Sequence, residues 1–358
     1  MPSVHLPPWI ARQAAELLAR PGHAWLLQGP SGLGQFELAL ALAAAWLCDA
    51  PTPQGACGQC PGCHSLHVHA HADFVMLMPE THMLERGWPL PEKAQAEIDE
   101  KKRKPSKEIR VDAMRDAIEF AQRTSARGRG KAMLIYPAER MNAVTANALP
   151  KTLEEPPGDM RFVLATEAAH LLLPTIRSRC LTHTLRWPDA TEALPWLAAC
   201  GVQEAAAAAL LQAAGGRPAA ALQLARSAES QAEARTTARK AKPAFDDGQQ
   251  AAAAWARLPK ALAQGDASAL ASLPTAEIVA RLQKLCADLM AAQTGAPPRF
   301  FAAADLPARP LPLPALAKWW GQLAQAARSA EHPLNAGLTL EYLASSARQA
   351  LNSAKATN

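Results

Sequence analysis

No stretch of this sequence is long and apolar enough to cross a bilayer. The longest apolar run, Leu38 to Cys48, has eleven residues, against the roughly 20 that a spanning helix needs. Residues 1–13 lack the charged start, apolar stretch and small-residue cleavage site of a secretory leader. Both absences predict a cytoplasmic protein with no membrane partner. Charge is also scarce. Only 19% of residues are charged and the net is +5, a mild excess that permits contact with nucleic acid without demanding it. Cysteine is sparse, at seven. In a reducing cytosol those thiols read as metal ligands or core residues, not disulfides. Apolar residues are plentiful, at 49% of 358. That suffices for two or three domains with sizeable cores and is too much for a disordered chain.

The first half alternates strand and helix patterns. Strands are predicted at Ala24 to Gln28, Phe74 to Met78, Lys131 to Ile135 and Arg161 to Thr166. Helices are predicted at Gln35 to Cys48, Val111 to Arg123 and Ala143 to Leu153. This alternation implies a parallel α/β sheet covered on both faces. Beyond Trp187-Pro188 strand signals stop, and the Ala- and Leu-rich remainder reads as helical. The alanines at 205–209 fit a packed helix, alanine being the best helix former. A polar stretch at 226–248 marks a second boundary. The segment Leu306 to Pro314, with four prolines, reads as a connector before a helix at Leu316 to Ala330. Between Glu92 and Arg110, twelve of nineteen residues are charged. The plainer expectation is a solvated insertion; the sharper one is that Lys101 to Lys104 touch DNA phosphates.

Gly29-Pro30-Ser31-Gly32-Leu33-Gly34-Gln35-Phe36 follows a strand and opens a helix, the setting of a phosphate loop, G-x-x-x-x-G-K-[ST]. Both glycines are present. Gln35 stands where a lysine would reach the phosphates, and Phe36 where a hydroxyl would hold magnesium. A Gly-rich turn without phosphate chemistry is the alternative. After the strand Met133-Leu134-Ile135, where an active enzyme places Asp-Glu, stand Tyr136-Pro137. Glu139 lies past the strand end. Three parts that stabilise charge in phosphoryl transfer are therefore absent together.

Cys48, Cys57, Cys60 and Cys63 have the spacing C-x8-C-x2-C-x2-C. Four thiolates so close suit a tetrahedral structural zinc with no open position, an iron–sulfur cluster being the competitor. His64, His67, His69 and His71 follow and read as surface histidines. Cys180, Cys200 and Cys286 read as ordinary buried residues. In Thr175-Ile176-Arg177-Ser178-Arg179-Cys180, a pair of arginines is ordinarily surface charge. At the edge of a phosphate-loop domain, one of them could reach a nucleotide held by an adjacent subunit.

Together these pieces resemble the clamp-loader branch of the AAA+ ATPases over nearly the whole chain. The resemblance rests on His23-Ala24-Trp25-Leu26-Leu27, the four cysteines, Asn147 to Pro157, Ser178-Arg179-Cys180 and Asn335 to Glu341. The family writes the middle motif N-A-L-L-K-T-L-E-E-P-P, so Pro150 departs from it and is expected to kink a helix. The resemblance implies a RecA-like base over 1–187 carrying the zinc module (48–63), a helical lid over 188–228, and a helical collar over 229–358 that oligomerises. It further implies a subunit type with degenerate motifs, a non-hydrolysing stator whose Arg179 completes the ATP site of a neighbouring motor subunit. Arg177 is the alternative finger. The lid arginine of motor subunits aligns with Ala219, with Arg217 close by. Implied partners are the motor and clamp-opening subunits, the ring-shaped sliding clamp and primed DNA, with Arg110 or Lys107 as candidate backbone contacts. An active ATPase motor and a zinc-ribbon nucleic-acid adaptor are the competing readings.

Overall fold

The apolar run Ala24–Gln28 forms strand β1, with four of its five residues buried. A run apolar on both faces suits a parallel sheet covered on both sides. Four strands join it: β2 (Phe74–Leu77), β3 (Lys131–Ile135), β4 (Met160–Thr166) and β5 (Leu181–Thr184). Their order is β2-β3-β4-β1-β5, with every pair parallel. This computed structural model describes residues 6–226, 247–330 and 335–353. The chain divides into two units, Met1–Pro188 and Asp189–Asn358. The first is an α/β unit built on this parallel sheet, and the second is helical.

In the first unit, helices α1 (Pro8–Leu18), α2 (Gln35–Leu47) and α6 (Val111–Gln122) carry much of the cover. Met114, Ala117 and Ala121 of α6 recur at helical spacing and are buried. All five residues of β3 are buried, Lys131 included. Its ammonium donates to the Phe120 and Ala121 carbonyls at the end of α6. The short helices α3 (Pro61–His67), α4 (Glu80–Glu85) and α5 (Glu92–Asp99) lie between α2 and α6. Three sequence expectations need correction. The helix expected over Ala143 to Leu153 is two helices, α7 (Ala143–Ala148) and α8 (Pro150–Glu154). Pro150 has no N–H to continue the ladder, so a new helix starts there. Strand β5, which follows the short helix α9 (Pro174–Arg177), was not expected. It is an edge strand with one buried residue, His183, and so shows no apolar alternation. The charged stretch 92–110 is only partly solvated. Helix α5 buries nothing, but Arg103 donates to Glu80 at 2.5 and 2.8 Å and to Glu97 at 2.6 Å. Ile109 is fully buried beside Met141.

The second unit contains α10 (Ala190–Ala199), α11 (Glu204–Ala213), α12 (218–226), α13 (Asp247–Gln264), α14 (Thr275–Gln293), α15 (Leu313–Ser329) and α16 (Ala336–Asn352). One apolar cluster joins Leu197, Val202, Leu210 and Ala221. A larger one joins Trp255, Leu282, Leu285, Trp319, Leu343 and Leu351. Asn335 caps α16 by accepting from the Gly337 and Leu338 amides. The boundary expected at 228/229, inside the polar stretch 226–248, lies outside the described residues.

Candidate functional site

Helix α2 has a candidate site at each end. Its first residue follows Gly34, the N-cap at φ +103°, a backbone state that favours glycine. A Cβ at Gly34 would also come within 2.8 Å of Ile10 Cδ1. Helix α1 closes over the loop here, with Trp9 Nε1 donating to the Leu33 carbonyl at 3.3 Å. Gln35 is 2% exposed. Its amide nitrogen donates to the Gly29 and Pro30 carbonyls at 2.5 and 2.8 Å. The group in the lysine position is thus spent on the loop's own backbone. Phe36 is buried against Tyr136, ring centroids 5.3 Å apart. The Arg86 guanidinium lies 4.3 Å from the Phe36 ring and 5.2 Å from that of Tyr136. The Tyr136 phenol donates to Glu167 at 3.0 Å. Burial, and then the charge of Glu167, raises its pKa so that it stays protonated. Glu139, just past β3, accepts from Thr166 Oγ1 at 2.7 Å and from the Glu167 amide at 3.1 Å. The corner where an active phosphate-loop enzyme places a magnesium-binding hydroxyl and carboxylates is filled by two aromatic rings and a guanidinium. Arg86 carries no sequence signal for this position, because only the fold brings it to the loop.

The other end of α2 is Cys48, which is fully buried. Its sulfur lies with those of Cys57, Cys60 and Cys63, all within 4.8 Å of one another. The closest pairs are Cys48–Cys63 at 3.6 Å, Cys48–Cys60 at 3.8 Å and Cys57–Cys63 at 4.0 Å. Zinc–sulfur bonds of about 2.3 Å set a tetrahedron edge of about 3.8 Å, so a single ion fits between the sulfurs. A cluster with cysteines on separate irons would need them farther apart. Backbone amides already point at the sulfurs: Cys57 to Cys48 at 3.3 Å, Cys63 to Cys60 at 3.3 Å and Asp49 to Cys60 at 3.4 Å. The thiols are unequal. Backbone donors from Gln59 and Cys60 pull Cys57 down to about 6, and burial pushes Cys63 up to about 12. Gly62 passes so near the Leu47 carbonyl that a Cβ would sit 2.9 Å from it. Asp49 accepts from the Gly62 amide at 3.0 Å and from Arg127 at 2.8 Å, joining the module to the turn before β3. Of the four histidines, His64 and His67 are exposed as expected. His69 instead stacks on Trp88 at 3.7 Å, and His71 is buried, its Nδ1 accepting from the Asp73 amide. Cys286 is buried as expected, whereas Cys180 and Cys200 are only partly so.

Arg179 belongs to neither end of α2. It lies two residues beyond α9 and bonds Glu154 of α8. Arg177 is exposed. Arg110 is the N-cap of α6, 3.6 Å from Asp112. Lys101, Lys102, Lys104 and Lys107 are exposed, with Lys102 paired to Glu100 at 2.6 Å. In the second unit the Arg217 Nε donates to the Ala214 carbonyl at 2.7 Å. Among the described residues no helix is long and apolar enough to cross a membrane.

Residues 13–189 match the family model described as DNA polymerase III, delta subunit. The DNA polymerase III subunit delta' of Pseudomonas aeruginosa PAO1 is 39% identical over 202 residues, 56% of this chain and 55% of that one. The DNA polymerase III subunit tau of Escherichia coli K12 is 32% identical over 172 residues, 48% of this chain and 23% of that one. The chain spans about half the length of the curated delta' relatives it matches. A solved gamma subunit-related protein of Thermotoga maritima is 18% identical with a TM-score of 0.47, covering 96% of this chain and 99% of that one.

Proposed function

We propose, from the premise that over residues 13–189 this chain belongs to the DNA polymerase III delta' clamp-loader family, that it is a non-hydrolysing stator of the loader. It would assemble with tau or gamma motor subunits and with delta, and help place the sliding clamp on primer-template DNA. Arg179 would serve in trans as an arginine finger at the ATP site of an adjacent motor subunit. The base (1–187), lid (188–228) and collar (229–358) would divide these tasks, the collar holding the subunits together. The ion we assign to Cys48, Cys57, Cys60 and Cys63 is zinc, in a structural role.

The observation that carries this reading is the filling of the phosphate loop. Phosphoryl transfer needs a cation on the phosphates, a ligand for magnesium and a group to orient the nucleophile. In their positions stand an amide spent on the Gly29 and Pro30 carbonyls, and the Phe36 and Tyr136 rings around Arg86. Arg179 has no such site within its own chain to serve, which favours a role for it in a neighbour's.

The test is a reconstituted loader of motor, delta and this chain, with clamp and primed DNA. Arg179→Ala should leave assembly intact and lower DNA-stimulated ATPase and clamp loading. A finger is worth about 10³ or more at one site, so the loss should be partial, other sites keeping their own fingers. Arg179→Lys should restore little, since an ammonium lacks the planar fork. Wild-type ATPase and loading by Arg179→Ala would leave the chain a purely architectural subunit.

A further inference from the structure

Arg179 is held in place within its own chain. Its Nε and Nη2 both donate to Glu154 Oε2, at 2.9 and 2.7 Å. Its Nη1 donates to the Thr175 carbonyl at 3.0 Å. A guanidinium has one N–H on Nε and two on each terminal nitrogen. Three of the five are used, so one N–H remains on each terminal nitrogen. Two donors on neighbouring nitrogens are what bidentate capture of a phosphoryl group requires.

The pair does not read as a device for stability. The side chains of Arg179 and Glu154 are 30% and 60% exposed, and exposed ion pairs stabilise folds little. Its effect is on orientation. An unsupported arginine has four side-chain torsions to order when it meets the phosphates, whereas this one is fixed between α8 and the last turn of α9. Ordering made in advance is not spent in the transition state.

We infer that Glu154 is a positioning residue for Arg179: it anchors the inner edge of the guanidinium so that the two remaining N–H groups face a phosphoryl group bound by the adjacent subunit. This inference rests on the finger reading above. Glu154 itself touches neither substrate nor reacting atoms.

The experiment is steady-state DNA-stimulated ATPase of the reconstituted loader, with the Arg179→Ala loader as baseline. The activity above that baseline is the finger-dependent part. Glu154→Ala should lower its kcat about 3- to 10-fold and change the KM for ATP by less than about twofold. Glu154→Gln, whose carbonyl oxygen can accept the same two N–H groups, should retain more than about half of the wild-type kcat. In the Arg179→Ala background, Glu154→Ala should have no further effect. Matching thermal melts keep a folding defect apart from a positioning one. If Arg179→Ala lowers activity while Glu154→Ala does not, the positioning role fails and the finger stands. If Arg179→Ala has no effect, the finger reading fails first. A rise in kcat on Glu154→Ala, or an equal fall in the Ala and Gln variants, also overturns the inference.

Discussion

The two ends of α2 have opposite relations to a ligand. At the first, the side chains in the lysine and hydroxyl positions already have partners within the chain. Gln35 donates to two loop carbonyls, and Phe36, Arg86 and Tyr136 fill the space beside it. At the second, thirteen residues on, four sulfurs converge within 4.8 Å of one another. Backbone amides are aimed at those sulfurs, which favours the thiolate forms that a cation requires. The difference between the two ends lies in the chemistry of the side chains that converge there: an amide and two aromatic rings at the first, four sulfurs that could hold an ion at the second.

The sharpest way to break this comparison is to take the ion away. Purified protein should hold about one zinc per chain, the capacity of a single four-thiolate site. Structural zinc sites in small peptides are worth about 10–16 kcal/mol in apparent binding at neutral pH. Chelation or Cys60→Ser should therefore release the metal and abolish hydrogen-exchange protection around residues 48–67. Protection at the large apolar cluster built on Leu285 and Trp319 should survive. Iron with visible absorption, or metal-free protein that keeps its protection under reducing conditions, would count against a zinc module. Binding must displace thiol protons, most of all at Cys63, which burial pushes up to about 12. Zinc affinity should accordingly fall as pH is lowered.

The filled end makes the converse prediction. If the Phe36 ring serves as core, Phe36→Ala should destabilise the first unit by about 3–5 kcal/mol, the usual loss for a buried aromatic. Part of that loss is the guanidinium face of Arg86, stacked 4.3 Å from the ring. Urea unfolding measures it. A change below about 1 kcal/mol would mean that the ring fills no essential space, and the contrast between the two ends would weaken.

How much of this was legible in the sequence depends on the range of the interaction. Short-range patterns read well. The apolar runs of β1, β3 and β4, the glycine frame of the loop and the Cys-x-x-Cys steps are each fixed by residues a few positions apart. Pro150 signalled a kink, and the structure divides the helix there. Edge strand β5 was missed because Leu181, Thr182 and Thr184 face solvent and leave no alternation to detect. Arg86 and Glu154 make contacts that were out of reach of the sequence for a different reason. Each meets its partner, Phe36 or Arg179, across 50 and 25 positions of chain respectively, and no local pattern marks an arginine as ring cover or a glutamate as an anchor. His71 was misread as a surface residue because its burial follows from the packing around it, which the run of histidines does not signal.

The smallest expected effect is the most discriminating. Gln35→Lys puts back the one charge whose loss is easiest to see. An ammonium has three donors and can reach the Gly29 and Pro30 carbonyls that the amide now uses. Stability should therefore change by no more than about 1–2 kcal/mol. Turnover should not return. A lysine neutralises phosphate, but magnesium would still find a phenyl ring at position 36, and Tyr136-Pro137 supply no carboxylate after β3. The measurement is phosphate release from magnesium-ATP by the isolated chain, wild type beside variant, against a preparation taken through the same purification without the protein. Both should stay at background. ATPase gained by Gln35→Lys alone would mean that the rest of the machinery is intact and that one amide holds it silent, a latch in place of a relict. ATPase in the wild type would return the chain to the motor class, and the filled loop would then have to open before each turnover.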